Sequence, residues 1–162
     1  MTQETFFYIS LIGIGATVAM DLYAILIKKL FAIPSLNYAL LGRWLLLMPR
    51  GQLVHQNIAS THYVRGEVFI GWSAHYAIGV IFAFIFISIT GLNWLSAPEL
   101  LPILLFSCLS VSLPFFIMQP CFGMGFAASR LPSANQARLK SICTHLVFGL
   151  GIYVSALLVN LF

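Results

Sequence analysis

The chain has 162 residues, and 7% of them are Asp, Glu, Lys or Arg, against roughly a quarter in an average soluble domain. Sixty per cent are hydrophobic and the mean hydropathy is +0.98. Charges this sparse cannot cover a soluble surface, and the apolar content excludes disorder. The net charge of +4 comes from eight basic residues, which form no stripe for nucleic acid. The reading is an all-α polytopic membrane protein, a single membrane domain over residues 1–162. Cys108, Cys121 and Cys143 are odd in number and lack CxxC spacing. They read as small hydrophobes rather than a disulfide frame.

A spanning helix needs about 20 mostly apolar residues. Four runs qualify, predicting helices over about 6–27, 68–89, 100–119 and 141–162. Asp21 interrupts the first, His75 the second and His145 the fourth. The third has Pro102 near its start and Pro114 inside, where the missing N–H predicts a kink. The N-terminal stretch lacks the basic start and small-residue cleavage site of a signal peptide, so the first run is expected to stay as a helix.

Between runs one and two lie Lys28, Lys29, Arg43, Arg50 and Arg65; between runs three and four lie Arg130, Arg138 and Lys140. Thr90–Glu99 has no basic residue. The positive-inside rule puts both basic loops in the cytoplasm and both termini outside, in a multi-pass protein. In the first loop, Pro34 and Ser35 open a predicted helix over about 35–48 that Pro49 stops. It is too short to span and reads as interfacial, with Leu36, Leu40, Trp44 and Leu47 on one side and Asn37 and Arg43 as polar exceptions. Arg43 with Trp44 reads as an interface anchor. Gly51–Gly66 reads as a polar surface loop, with His55 and His62 as plain loop residues.

The two predicted hairpins run in the same direction. An offset of 70 places His75 and Gly79 over His145 and Gly149, and a weaker match places Met20-Asp21 over Met118-Gln119. This suggests a two-hairpin parallel repeat.

At 1.5 Å per residue, Asp21, His75 and His145 fall roughly 8–12 Å inside the cytoplasmic boundary. Gln119 falls near that boundary. Ionisable groups at such depth cost about 2.5–3.5 kcal/mol and survive by facing the bundle and pairing. Four-residue spacing extends the layer as stripes: Glu67, Gly71, His75 and Gly79; Arg138, Ile142, His145 and Gly149; Gly13, Thr17, Asp21 and Lys28. Gly13, Gly71, Gly79 and Gly149 permit close helix approach or admit a flat ligand. Set against this, each ionisable group has a packing role open to it, and Glu67 and Arg138 a snorkelling one.

Several of these segments are familiar. Gly13-x-Gly15-Ala16-Thr17-x-Ala19-Met20-Asp21, Gly42-Arg43-Trp44 and His75-Tyr76-x-x-Gly79 carry the likeness. So do Gln119-Pro120-x-x-Gly123-x-Gly125-Phe126-Ala127-Ala128-Ser129 and Arg138 with His145-Leu146-Val147-Phe148-Gly149. Across nearly the whole chain the sequence resembles a bacterial inner-membrane family known only as a domain of unknown function. The resemblance implies a small bacterial integral membrane protein and supplies no activity.

Function is therefore argued from chemistry. Asp21, His75 and His145, with Glu67, Arg138 and Gln119 beside them, suit ion or proton relay or small-molecule transport. Four helices are few for a transporter, so a homo-oligomer is expected with it. The second reading is a metal ion on Asp21, His75 and His145, or a haem clamped by the two histidines, with Glu67 or Asp21 as base if the metal were hydrolytic. The third is a structural or partner-binding subunit with the polar layer as interhelical glue. No GxSxG, phosphate loop or Cys–His placement supports nucleophilic catalysis, so the reading leans away from an enzyme.

Overall fold

In lipid every backbone polar group must be satisfied within the chain, which favours helices. The computed structural model describes residues 2–160, and among these it contains helices and no strand. Four helices are long and apolar enough to cross a membrane: α1 (Gln3–Phe31), α3 (Glu67–Thr90), α4 (Leu100–Cys121) and α5 (Ala134–Val159). The protein is thus a multi-pass membrane protein. A shorter helix, α2 (Tyr38–Leu47), lies between α1 and α3. Between 22% and 33% of the most apolar window of each span is buried within the chain.

The helix ends differ from the sequence expectation for local reasons. α1 begins earlier because the Thr2 hydroxyl caps it, accepting from the Thr5 N–H at 3.2 Å. It ends at Ala32, whose backbone is left-handed at φ 55° and whose N–H reaches the Lys28 carbonyl. α2 is capped by Asn37, not by Ser35: the Asn37 side chain accepts from the Ala39 N–H at 3.1 Å. It runs into a 3-10 turn over Met48–Arg50. α5 starts seven residues before the apolar run, so Arg138 and Lys140 lie on the helix. The expected extension of this helix to residue 162 falls partly outside the described residues. Where a kink was expected at Pro114, α4 contains a π-helical turn, Pro114–Met118, closed by the Gln119 N–H donating to the Pro114 carbonyl; such turns are rare and occur singly inside α-helices.

The chain forms two compact units. The first comprises Met1–Ser35, Tyr76–Leu109 and Thr144–Phe162. Its core joins Ile9, Ile12 and Ala16 of α1, Ala83, Phe86 and Ile87 of α3, Ile103 of α4 and Phe148, Ile152 and Ala156 of α5. Trp94, in the single turn Asn93–Ser96, meets Phe86 edge-on at 4.7 Å. The same turn is tied by the Trp94 indole N–H donating to the Glu99 carbonyl at 3.1 Å.

Backbones in this unit meet at small residues. A methyl group on Gly13 would sit 2.6 Å from Val80 Cα, and one on Gly151 would sit 2.7 Å from Ala16 Cα. The space beside Gly79 is filled by the Thr17 hydroxyl, and that beside Gly149 by the Ser107 hydroxyl. Each hydroxyl is turned back onto its own helix: Thr17 donates to the Gly13 carbonyl at 2.8 Å and Ser107 to the Ile103 carbonyl at 2.7 Å. A hydroxyl satisfied in this way is apolar toward its neighbour.

The second unit comprises Leu36–His75 and Ser110–Cys143. Ile58 and Phe122, each 1% exposed, anchor it with Leu41, Leu47, Val111 and Ala128. The segment between α2 and α3 was expected to be a polar surface loop. Most of it is exposed, and it is also pinned: the His55 N–H donates to the Cys121 carbonyl at 2.8 Å and the Ile58 N–H to the Phe122 carbonyl at 3.1 Å. The Trp44 indole N–H donates to the Leu53 carbonyl at 2.8 Å. Pinning is needed because a non-helical backbone packed against protein must still satisfy its polar groups.

Gly13→Leu and Gly151→Leu should each lower stability by about 1–3 kcal/mol or more, since the backbone opposite cannot yield as a side chain would. Thermal unfolding in detergent micelles checks this. Leu at Gly51, which has nothing within 4 Å of a Cβ but sits at φ 77°, should cost only the backbone penalty of about 1–2 kcal/mol.

Candidate functional site

The ionisable residues singled out by the sequence separate into two settings. Asp21 and His145 belong to the first unit; Glu67, His75, Gln119 and Arg138 belong to the second.

In the first unit the Asp21 carboxylate accepts a hydrogen bond from the Tyr76 hydroxyl at 3.0 Å. This bond links α1 to α3. Both side chains are partly buried, and so is His145 on α5. Thr17 lies one turn from Asp21 on the same face, but its hydroxyl is committed to Gly13.

In the second unit His75 is buried and stacks on the Tyr38 ring, with ring centroids 3.9 Å apart and 21° between planes. Trp72 meets both rings edge-on, at 4.8 Å from Tyr38 and 5.9 Å from His75. One turn earlier on α3, Gly71 lies against the Tyr38 carbonyl, and a Cβ there would come within 3.2 Å of the Gly42 N. A Cβ on Gly42 would sit 2.6 Å from the Gly71 N. Thus α2 and α3 touch backbone to backbone. The face of Gly71, like those of Gly79 and Gly149, is occupied by protein. These glycines serve close packing here, and no room is left beside them for a flat ligand.

Two turns before His75, Glu67 is 3% exposed and forms a bidentate pair with Arg43, itself 8% exposed. Arg43 Nε donates to Glu67 Oε2 at 2.7 Å and Nη2 to Oε1 at 2.7 Å. Arg43 Nη1 donates to the carbonyls of Ile58 at 3.0 Å and Thr61 at 2.9 Å. Glu67 Oε2 also accepts from the Val64 N–H at 2.9 Å. The carboxylate's hydrogen bond holds the guanidinium above its ordinary pKa, against the opposite pull of burial, so Arg43 stays charged. Arg43 was expected as an interface anchor and Glu67 as a relay or snorkelling group. In the structure they tie α2, the 51–66 segment and the first turn of α3 together.

Arg138 likewise acts on backbone. Its Nε donates to the Ala127 carbonyl at 2.8 Å and its Nη1 to Asn135 Oδ1 at 2.9 Å. Ala127 and Ala128 adopt left-handed backbones, φ 46° and 59°, a strained choice for residues with a Cβ. Arg138 holds that turn closed. Gln119 is buried; its Nε2 reaches Ser141 Oγ at a long 3.4 Å, and its Oε1 is buried without a hydrogen-bond partner.

Among the described residues no group of three or more His, Cys, Asp or Glu side chains is placed to hold a metal ion. The metal reading of Asp21, His75 and His145 has no such group behind it. Asp21 turns to Tyr76, while His75 is held by Tyr38 and Trp72. The residues that sequence reasoning missed are Tyr76, Tyr38 and His55. His55 was taken as a plain loop residue, yet it is 8% exposed and its Nε2 is buried without a partner. Tyr76 stood within the quoted His75-Tyr76 motif. Its reach to Asp21 depends on which face of α3 meets α1, which one sequence does not fix.

Over residues 10–159 the sequence matches the model of a family described as a protein of unknown function, DUF2938. The chain belongs to that family. No curated protein and no solved structure matches it. For this DUF2938 protein, then, the site must be tested by its own chemistry, and the ion pair is its most constrained element. Arg43→Met should cost about 3–5 kcal/mol by stranding the Glu67 charge, and Arg43→Met with Glu67→Leu should recover much of that loss. Unfolding midpoints of the single and double variants in micelles measure the difference. A double variant no more stable than the single one would show that the pair acts only through Ile58 and Thr61.

Proposed function

We propose that this DUF2938 protein is a proton or small-ion relay whose exchanging group is Asp21. One observation carries the reading: a carboxylate within a membrane-length helix, hydrogen-bonded to the Tyr76 hydroxyl of another such helix. Intramembrane carboxylates are costly and mark ion and proton paths. A phenol hydroxyl beside one can pass or hold a proton, since it both donates and accepts. His145 lies in the same unit, and an imidazole can both donate and accept a hydrogen bond. We place the protein in a bacterial inner membrane, as a homo-oligomer, with Lys28, Lys29 and the residues that follow to α3 on the cytoplasmic side.

The close packing at Gly13, Gly79 and Gly149 favours a second reading, in which the polar groups only join helices. The two separate in one assay. Purified protein is reconstituted into vesicles with an internal pH-sensitive dye, and an imposed pH gradient drives flux. Asp21→Asn should bring the flux to that of protein-free vesicles while the protein remains folded. Tyr76→Phe should slow it and shift its pH profile. Equal flux in Asp21→Asn and the parent protein, with only stability changed, would support the joining role and sink the relay.

The proposed orientation is open to a separate check. A phosphatase that is active only outside the cytoplasm, fused after residue 162, should be active, and the same enzyme inserted at Gly51 should be silent.

A further inference from the structure

In the second unit the charges do not balance. Six Lys and Arg residues share it with one carboxylate, and that carboxylate, Glu67, is already paired with Arg43. Arg50, Arg65 and Arg130 are exposed and no carboxylate remains in the unit to meet them. Arg138 spends its donors on Ala127 and Asn135.

The neighbours of these three arginines are unusual for a watery loop. Val54 is 73% exposed, Tyr63 67% and Phe126 65%. Each lies two to four residues from one of the arginines: Val54 from Arg50, Tyr63 from Arg65, Phe126 from Arg130. Aromatic and apolar side chains alternating with arginine suit the boundary between headgroups and acyl chains.

The segment that carries Val54, Tyr63 and Arg65 is also fixed in place. Residues 51–66 are bonded to Cys121 and Phe122 through backbone N–H groups and to Trp44 and Arg43 through carbonyls. A basic surface held in shape loses little freedom on binding. We infer that Arg50, Arg65 and Arg130 form a docking surface for anionic phospholipid headgroups, with Val54, Tyr63 and Phe126 entering the boundary beside them. Charge complementarity selects this partner: each basic side chain near an anionic leaflet gains attraction that zwitterionic lipid does not offer. The inference is independent of the relay reading.

The test uses the full chain in a neutral detergent, with short-chain phosphatidylglycerol, short-chain phosphatidylcholine and inorganic phosphate added separately. Binding is read as the shift in unfolding midpoint with concentration and as lipid retained in native mass spectra. Phosphatidylglycerol should bind saturably and more tightly than phosphatidylcholine, and added salt should weaken it. Arg50→Gln, Arg65→Gln and Arg130→Gln should each weaken phosphatidylglycerol binding about fivefold, leaving phosphatidylcholine unaffected. These side chains are exposed, so the single variants are expected to fold even if the triple variant does not. Equal binding of the two lipids, unchanged phosphatidylglycerol binding in all three variants, or an equal shift from phosphate alone would overturn the inference.

Discussion

Helices in lipid gain no hydrophobic reward from touching, because the acyl chains are as apolar as leucine. They associate through close packing and local polar contact instead. This constraint orders the whole chain. Gly13 and Gly151 let backbones of the first unit approach to the limit of contact, and Gly42 and Gly71 do the same in the second. Where a hydroxyl rather than a glycine sits at the contact, as at Thr17 and Ser107, it is first satisfied on its own helix. Large side chains then fill what the small ones leave, with Phe86, Ile103 and Ile152 fully enclosed.

Close approach also explains how a charge pair is tolerated in the second unit. α2 has ten residues, too few to cross a membrane and too few for independent helical stability. Gly42 brings it against α3, and the neighbouring Arg43 is thereby carried to Glu67. Two charges removed from water repay the desolvation only with good geometry and no donors or acceptors left over. Here Arg43 makes four hydrogen bonds and Glu67 three. Two of those bonds end on carbonyls of the 51–66 segment, so the pair organises a stretch that has almost no regular structure of its own.

What the sequence made legible was whatever depends on composition along the chain. The four spans follow from runs of apolar residues, and their interiors lie where the runs lie. The ends were less legible because caps decide them: Thr2, Asn37 and Ala32 act through one hydrogen bond or one backbone angle each. The stripes were legible as spacing but not as partners. Glu67, Gly71 and His75 do share a face of α3, and that face meets α2. Gly79 and Gly149, matched by an offset of 70, each receive a hydroxyl from a neighbouring helix. The histidines one turn before them do not share surroundings, since His75 is stacked on Tyr38 and His145 is partly buried in the other unit. Arg43 was misread for a related reason. Glu67 is the one acid among the five basic residues between the first two spans, and pairing them across 24 residues needs the fold.

Asp21 is a carboxylate well inside a membrane-length helix. Placing Asp in the middle of a membrane helix costs about 2.5–3.5 kcal/mol, whereas an interhelical hydrogen bond in a membrane returns about 0.6 kcal/mol on average. The bond from Tyr76 is one such bond. Arg43 and Glu67 offset their burial with several hydrogen bonds each, and His75 stacks on Tyr38 with Trp72 edge-on. Asn in place of Asp21 would keep an acceptor for Tyr76 and avoid the ionisable group. The property that Asn would lose is proton exchange, and this difference is the physical ground for the relay proposed at Asp21.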